Sequence, residues 1–123
     1  GSPLLSLYEA PWLLDFVSGL FGRQLFHSAD PMNRVHLNRF ALGDGLGWHH
    51  DNSEFFFNLL LQQSPSGGKF EFVPNSEGDM AKVRTALQSV VPDGFVHSEP
   101  EELAPGGALL FCGRRAMHRV TPV

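Results

Sequence analysis

Two histidines and one aspartate are the residues of this sequence best suited to bind a metal ion. His49 and Asp51 stand two positions apart in the segment Trp48-His49-His50-Asp51, so on an extended chain their side chains point to the same side. A third ligand must come from elsewhere, and His118, which follows a strongly apolar segment, is the candidate. Two imidazoles and one carboxylate on one face of an ion leave positions free for a cosubstrate and oxygen, which is typical of a non-haem ferrous centre.

These residues also have a simpler interpretation. A His-x-Asp pair occurs often by chance, and either histidine can be a hydrogen-bonded group of the core or of the surface. His50 lies between the two candidate ligands and projects to the opposite side of an extended segment, so we expect it to be a packing or supporting group. Cys112 is the single cysteine, which excludes an internal disulfide and a zinc site of several cysteines. Its apolar neighbours predict a buried thiol.

Apolar spacing predicts two helices. The first runs from Pro11 to Gly22, with its apolar residues three and four positions apart. The second begins at a pattern like a capping box, formed by Ser76 and Asp79, and ends before Pro92. The apolar stripe of this second helix comprises Met80, Val83, Leu87 and Val90.

Short segments between turn residues predict six strands. The first, 33–40, carries polar groups on both faces and ends at a glycine turn over 43–47. The second, 54–62, is dense in Phe and Leu, which indicates a strand covered on both sides. A hairpin over 64–68 is expected to pair it with the third, 69–73. Three more strands are predicted over 94–99, 108–112 and 117–123.

Many short strands with few helices favour a mainly β fold. The simplest such fold is a jelly roll, or double-stranded β-helix, here with one N-terminal helix and one inserted helix. The sequence has 123 residues, and a second core would leave each half near the lower limit for independent folding. We therefore predict one domain over 1–123, with helical N-terminal support from 3–32 and a jelly-roll core over 33–123.

The composition is that of a globular chain without a basic surface. Hydrophobic residues make up 42% of the sequence and charged residues 18%, which excludes a disordered or collagen-like chain. The formal net charge of -4 and the lack of a basic run disfavour nucleic acid as a partner. No apolar run approaches the roughly 18 residues of a membrane helix, and no export signal is visible. We expect a cytoplasmic protein with no membrane partner.

The order of the motifs adds a family resemblance. Along the chain stand Trp48-His49-His50-Asp51-Asn52, a Phe and Leu strand, Gly-Gly-Lys-Phe-Glu-Phe over 67–72, Leu-Ala-Pro-Gly-Gly-Ala-Leu-Leu-Phe over 103–111, and His-Arg-Val-Thr-Pro-Val over 118–123. In this order they resemble the ferrous iron and 2-oxoglutarate-dependent dioxygenases. The resemblance is to the branch that contains the prolyl hydroxylases and many small-molecule hydroxylases, and it covers about residues 33–123.

This resemblance implies a cofactor set and a reaction. It implies a double-stranded β-helix in which His49, Asp51 and His118 bind Fe(II), with 2-oxoglutarate as cosubstrate and O2 as oxidant, and with succinate and CO2 as coproducts. Similar enzymes that halogenate carry a small residue in place of the carboxylate, which frees a position for halide. Because Asp51 is present, the resemblance favours hydroxylation, or a related desaturation or cyclisation.

The sequence departs from this branch at its end. Members of the branch usually hold the distal carboxylate of 2-oxoglutarate with an Arg or Lys several residues after the last His, and here the sequence reaches Val123 without one. The anchor and the last strand are therefore expected to be missing, and the uncovered sheet edge is expected to permit self-association. Arg39 and Arg119 are candidate substitutes for the anchor. Asn58 is a candidate hydrogen-bond partner of the cosubstrate, or else a satisfied buried amide.

Three functions follow from these observations. The first is an oxygenase that hydroxylates a small-molecule or amino-acid-like substrate. The second is a metal-binding but catalytically silent jelly-roll domain, or a shortened oxygenase fragment that lacks the cosubstrate anchor. The third is a nucleic-acid demethylase, because Asn38-Arg39-Phe40 before the glycine turn has a loose likeness to that branch, although the net charge of -4 argues against a basic groove.

Overall fold

The computed structural model describes residues 1–88 and 103–123, together with the backbone of a two-residue strand at His97 and Ser98. The chain divides into two units, Gly1–Arg39 and Phe40–Val123. Within the described ranges, no helix has the length and the hydropathy needed to cross a membrane. The single domain over 1–123 stays a prediction.

The first unit contains two helices. They are α1 (Pro3–Tyr8) and α2 (Pro11–Phe21). Each has a proline in its first turn, where the missing N–H is tolerated. Helix α2 ends at Gly22, whose φ of 63° is the left-handed conformation that glycine adopts without strain. The helix predicted over 11–22 is therefore confirmed, whereas α1 was not predicted because its six residues are too few for a periodic pattern.

The strand predicted over 33–40 is wrong. Pro31–Asn33 form a 3-10 turn in which the Asp30 carboxylate accepts the Met32 N–H at 2.9 Å, and residues 34–40 are irregular. Val35 and Leu37 remain 38% and 72% exposed. An alternating pattern forms a strand where a neighbouring strand pairs with it and one face is covered, and these two apolar side chains are left uncovered.

The second unit contains antiparallel strands in two sheets. The strands are β1 (Leu46–His49), β2 (Phe56–Leu59), β3 (Phe70–Val73), β4 (His97–Ser98), β5 (Ala108–Phe111) and β6 (Met117–Val120), with α3 (Met80–Gln88) between β3 and β4. The larger sheet has the order β1-β6-β3-β4, and the smaller one pairs β2 with β5. This confirms two antiparallel sheets with an inserted helix, while the jelly roll as such stays a prediction.

The predicted hairpin between the second and third strands is wrong. Strand β2 pairs with β5, with Phe56 opposite Phe111, whereas β3 pairs with β6 and β4. The connecting loop passes from one sheet to the other and is held by Gly68, whose N–H donates to the Pro122 carbonyl at 3.1 Å. Gly67, at a φ of 64°, approaches the same carbonyl so closely that a side chain has no room there.

The remaining strand predictions have mixed outcomes. Strands β5 and β6 confirm the strands predicted over 108–112 and 117–123, although both are shorter. Strand β1 occupies part of the predicted glycine turn. Of the strand predicted over 94–99, only β4 lies within the described residues, and the expected end of the second helix at Val90 and Pro92 lies outside them.

The larger sheet packs apolar side chains on both of its faces. Because successive residues of a strand point to opposite faces, β3 and β6 divide into two sets. The inner face, which looks toward the smaller sheet, carries Phe70, Phe72, His118 and Val120, packed with Phe56, Phe111 and Leu109. The outer face carries Glu71, Val73, Met117 and Arg119, and here Val83 and Ala86 of α3 pack with Trp48.

Ser76 has a different role from the helix cap predicted for it. Asp79 caps α3, since its Oδ1 accepts the Lys82 N–H at 3.0 Å. Ser76 is fully buried, and its hydroxyl oxygen accepts the Met117 N–H at 2.7 Å. The backbone N–H of Ser76 donates to the Arg115 carbonyl at 3.0 Å. Ser76 therefore joins the start of α3 to the segment that leads into β6.

We expect Ser76→Ala to lower the free energy of unfolding by about 1–3 kcal/mol, because it leaves the buried N–H of Met117 without its acceptor. Ser66→Ala, in an exposed loop, is the matched control and is expected to change that free energy by less than about 0.5 kcal/mol. Urea unfolding followed by circular dichroism measures both values. Equal effects of the two substitutions would contradict the role assigned to the Ser76 hydroxyl.

Candidate metal centre

Strand pairing brings two of the candidate ligands together. His49, the last residue of β1, lies opposite His118 of β6, so both imidazoles stand on the inner face of the larger sheet. An irregularity in the pairing between Leu46 and His49 gives β1 one extra residue, which directs His49 rather than Trp48 to this face. Asp51 follows the end of β1, and its N–H donates to the Gly113 carbonyl at 3.0 Å.

The three side chains converge on one point. Nε2 of His49 lies 3.4 Å from Oδ1 of Asp51, and Nε2 of His118 lies 3.5 Å from Oδ2. One ligand atom of each residue lies within 4.8 Å of the others. Adjacent ligands of an octahedral ion, each about 2.1 Å from it, are about 3 Å apart. The two His–Asp separations are close to that spacing, and the three ligand atoms would have to draw together from separations of up to 4.8 Å to share a single ion.

Backbone carbonyls set the tautomer of both imidazoles. Nδ1 of His49 lies 2.8 Å from the Gly47 carbonyl, and Nδ1 of His118 lies 2.9 Å from the Ala116 carbonyl. A carbonyl oxygen only accepts, so each Nδ1 carries the proton and donates it. In the neutral rings, each Nε2 then presents a lone pair toward the Asp51 carboxylate. Three acceptors facing one another without a donor are the chemistry of a cation site.

Burial keeps His118 in the form that binds metals. The residue is 3% exposed, and its ring contacts those of Phe70, Phe56 and Phe111 at centroid distances of 5.4, 5.7 and 5.1 Å. Burial lowers the pKa of the His118 imidazole from its ordinary value of 6.5, against the opposing influence of the Ala116 carbonyl and of Asp51. The imidazole is therefore neutral at physiological pH and competent to bind a cation.

His50 projects away from this site, as expected for a supporting group. Its Nε2 lies 3.2 Å from the hydroxyl oxygen of the buried Ser76. The same hydroxyl accepts the N–H of Met117, the residue that precedes His118. His50 is thereby tied to the segment that carries one of the candidate ligands. The thiol of Cys112, for which burial was predicted, is half-buried.

The structure does not bring Arg119 to the candidate ligands. Arg119 lies on the outer face of the larger sheet, opposite Glu71 across the β3–β6 pair. Its Nε donates to Oε2 of the buried Glu71 at 2.6 Å, and its guanidinium lies 4.7 Å from the ring centre of Trp48. These contacts engage the cation on the side of the sheet away from His118, so Arg119 is not placed to meet a cosubstrate bound beside that imidazole.

The other two residues predicted to bind the cosubstrate are placed differently. Arg39 is exposed and belongs to the first unit. Asn58 lies on β2 two residues after Phe56, so both side chains leave the strand on the same face. Phe56 contacts His118, and Asn58 is exposed rather than a satisfied buried amide. Its amide therefore lies on the side of β2 that looks toward the metal site.

Sequence reasoning missed Gly113, which is buried against the carboxylate of Asp51. In the sequence, Gly113 and the two arginines after it read as an ordinary turn. Nothing in a single sequence distinguishes a glycine required by a turn from one required by a neighbouring side chain, because both have the same residue type. The contact with Asp51 is visible in the fold alone.

Comparison with known proteins corrects the family predicted from the motifs. The family model described as halogenase D matches residues 1–123. No curated protein sequence matches the chain. The sequence-based resemblance to the ferrous iron and 2-oxoglutarate-dependent dioxygenase superfamily, and within it to the prolyl hydroxylase-like branch, is therefore wrong, since the matched family is a different one.

Proposed function

The chain belongs to the halogenase D family, and from this premise we propose that it is an oxidising enzyme with ferrous iron at His49, Asp51 and His118. We further propose that it uses 2-oxoglutarate and O2 to hydroxylate a small-molecule or amino-acid-like substrate. The observation that carries the proposal is the convergence of two Nε2 lone pairs and one carboxylate, with both Nδ1–H groups held by backbone carbonyls.

Bound ferrous iron would supply the oxygen chemistry of the reaction. In that reaction 2-oxoglutarate loses CO2 and becomes succinate with one oxygen atom of O2, and the second oxygen atom enters a C–H bond of the substrate. The chain's own residues hold the ion and orient what binds beside it. The rings of Phe56, Phe70 and Phe111 form an apolar wall around His118 that shields this imidazole from water.

The carboxylate of Asp51 favours hydroxylation over transfer of a halogen. An octahedral ion has six positions, of which three protein ligands leave three. The cosubstrate and O2 would need the remaining positions, so a halide would have none while the Asp51 carboxylate is a ligand. This proposal therefore separates the reaction of this chain from the one that the family description names.

Asn58 is proposed as the group that meets the cosubstrate. It is exposed on the same face of β2 as Phe56, whose ring lies against that of His118. An amide can donate to a carboxylate oxygen of 2-oxoglutarate and has no charge to neutralise. Because Arg119 is paired with Glu71, the cosubstrate would be held by the ion and by Asn58 rather than by that guanidinium.

We also propose that the two sheets are those of a double-stranded β-helix. The first strand lies beside the last in the larger sheet, and the second pairs with the last but one in the smaller sheet. The chain passes between sheets from β1 to β2, from β2 to β3, from β4 to β5 and from β5 to β6. This alternation is what a rolled sheet requires, and it places His49 and His118 on neighbouring strands.

One observation supports a second candidate, a metal-binding domain without catalytic activity. Arg119, one of the two cations proposed for the distal carboxylate of 2-oxoglutarate, is engaged on the outer face. A site that binds the ion but not the cosubstrate would have no turnover. The two candidates differ in whether 2-oxoglutarate binds beside the ion.

An anaerobic titration separates the two candidates. Ferrous iron is added to the protein, followed by 2-oxoglutarate, and the visible charge-transfer band of the chelate is recorded. We expect the band with the unmodified chain and its loss in His49→Ala. Iron binding without the band would favour the silent domain. Succinate release across a panel of amino acids and small metabolites, with His49→Ala as control, then identifies the substrate.

A further inference from the structure

We propose that the turn of Gly113 and Arg114, between β5 and β6, is a positioning element for the carboxylate of Asp51. The inference rests on the proposed function in one respect, namely that Asp51 is a ligand of the ion. Asp51 lies beyond the end of β1 at His49, so the pairing of β1 with β6 does not extend to it. Something else must fix the direction of its side chain.

Gly113 fixes the direction of the Asp51 side chain because the carboxylate occupies the space that a side chain at position 113 would fill. A Cβ atom built on Gly113 would overlap Oδ2 of Asp51 and would lie 2.7 Å from Cγ and 2.9 Å from Cβ of the same residue. Gly113 does not have a positive φ, so its backbone conformation is open to any residue. The requirement for glycine is therefore steric, and the atoms that impose it are those of the proposed ligand.

Hydrogen bonds hold the backbone on both sides of the Asp51 side chain. The Asp51 N–H donates to the Gly113 carbonyl at 3.0 Å. The guanidinium of Arg114 donates from Nε to the Asn52 carbonyl at 3.2 Å and from Nη2 to the same oxygen. The turn thus holds the backbone of residues 51 and 52 by hydrogen bonds, while Gly113 leaves room for the carboxylate. A small outward shift of that carboxylate would carry it away from the Nε2 atoms of the two histidines.

The test is a double-mutant cycle without metal, combined with titration of Co2+ as the probe of the site. Gly113→Ala is expected to lower the urea midpoint in the unmodified chain and to have no such effect in the Asp51→Gly background, where all three clashing atoms are gone. Gly113→Ala is also expected to weaken Co2+ binding by about 10–100-fold, as measured from the visible absorption of the ion. Gly19→Ala, a helical glycine with open space around it, is the control and is expected to bind Co2+ as the unmodified chain does.

Two results would overturn the inference. One is an equal fall in the urea midpoint in both backgrounds, and the other is unchanged Co2+ affinity in Gly113→Ala. If Gly113→Ala does not fold, Arg114→Gln is tested in its place. We expect Arg114→Gln to weaken Co2+ binding by a smaller factor than Gly113→Ala would. Unchanged Co2+ affinity in Arg114→Gln would count against the inference. Failure of the unmodified chain to bind Co2+ would instead contradict the proposed function, while the urea cycle would still decide whether Gly113 positions Asp51.

Discussion

His118→Asn is expected to abolish binding of ferrous iron while the chain remains folded. The amide of asparagine can still donate to the Ala116 carbonyl, as Nδ1–H of His118 does, but it has no atom at the place of Nε2. Loss of a ligand itself should weaken binding by more than the roughly 10–100-fold that loss of a supporting partner costs. Anaerobic equilibrium dialysis with ferrous iron measures the affinity, and urea unfolding without metal checks the fold.

His50→Gln is the matched control for this prediction. His50 lies between the proposed ligands in the sequence, but its Nε2 contacts the Ser76 hydroxyl instead. We expect the variant to bind one ferrous ion per chain, with an affinity lowered by no more than the roughly 10–100-fold that loss of a supporting partner costs. Equal loss of iron in His118→Asn and His50→Gln would indicate a general effect on the fold and would contradict the assignment of ligands.

Asp51→Gly is expected to reverse the response of the iron site to halide. In the unmodified chain, the Asp51 carboxylate occupies a position beside both Nε2 atoms, so chloride or bromide should leave the visible band of the complex with 2-oxoglutarate unchanged. In the variant that position is free, and a halide can enter it, so the band should shift with halide concentration. Visible spectra recorded anaerobically with and without bromide measure the difference.

The products give the same contrast once a substrate is known. With labelled O2 and bromide present, the unmodified chain should form a product that contains one labelled oxygen atom and no bromine. Brominated product from the unmodified chain would contradict the reaction proposed here and would favour the activity that the family description names. Glu71→Gln, on the outer face of the sheet, serves as a carboxylate control that should not respond to halide.

The candidate site was predictable from spacing to a large extent. His49 and Asp51 are two positions apart in an extended segment, and this alone places their side chains on one side of the chain. Spacing alone could not predict that His118 joins this pair, because 67 positions separate it from Asp51 (118 − 51 = 67). Only its place after an apolar strand suggested that it belongs to the same sheet, and the pairing of β1 with β6 brings it opposite His49.

Other features depend on which strands become neighbours, and local patterns do not contain this information. The loop over 64–68 has the composition of a hairpin turn, yet Gly68 bonds to Pro122 and carries the chain to the other sheet. Arg119 follows His118 directly, but alternation along β6 places it against Glu71 on the opposite face. The need for glycine at 113 depends on Asp51, which is distant in sequence.

X-ray absorption at the iron edge tests the central proposal most directly. The unmodified chain loaded anaerobically with ferrous iron should show scattering from two imidazole rings together with oxygen ligands, and His49→Ala, if it retains iron at high protein concentration, should show one ring. A spectrum of the loaded unmodified chain without imidazole scattering would contradict the account, because the ion would then be bound elsewhere than at His49, Asp51 and His118.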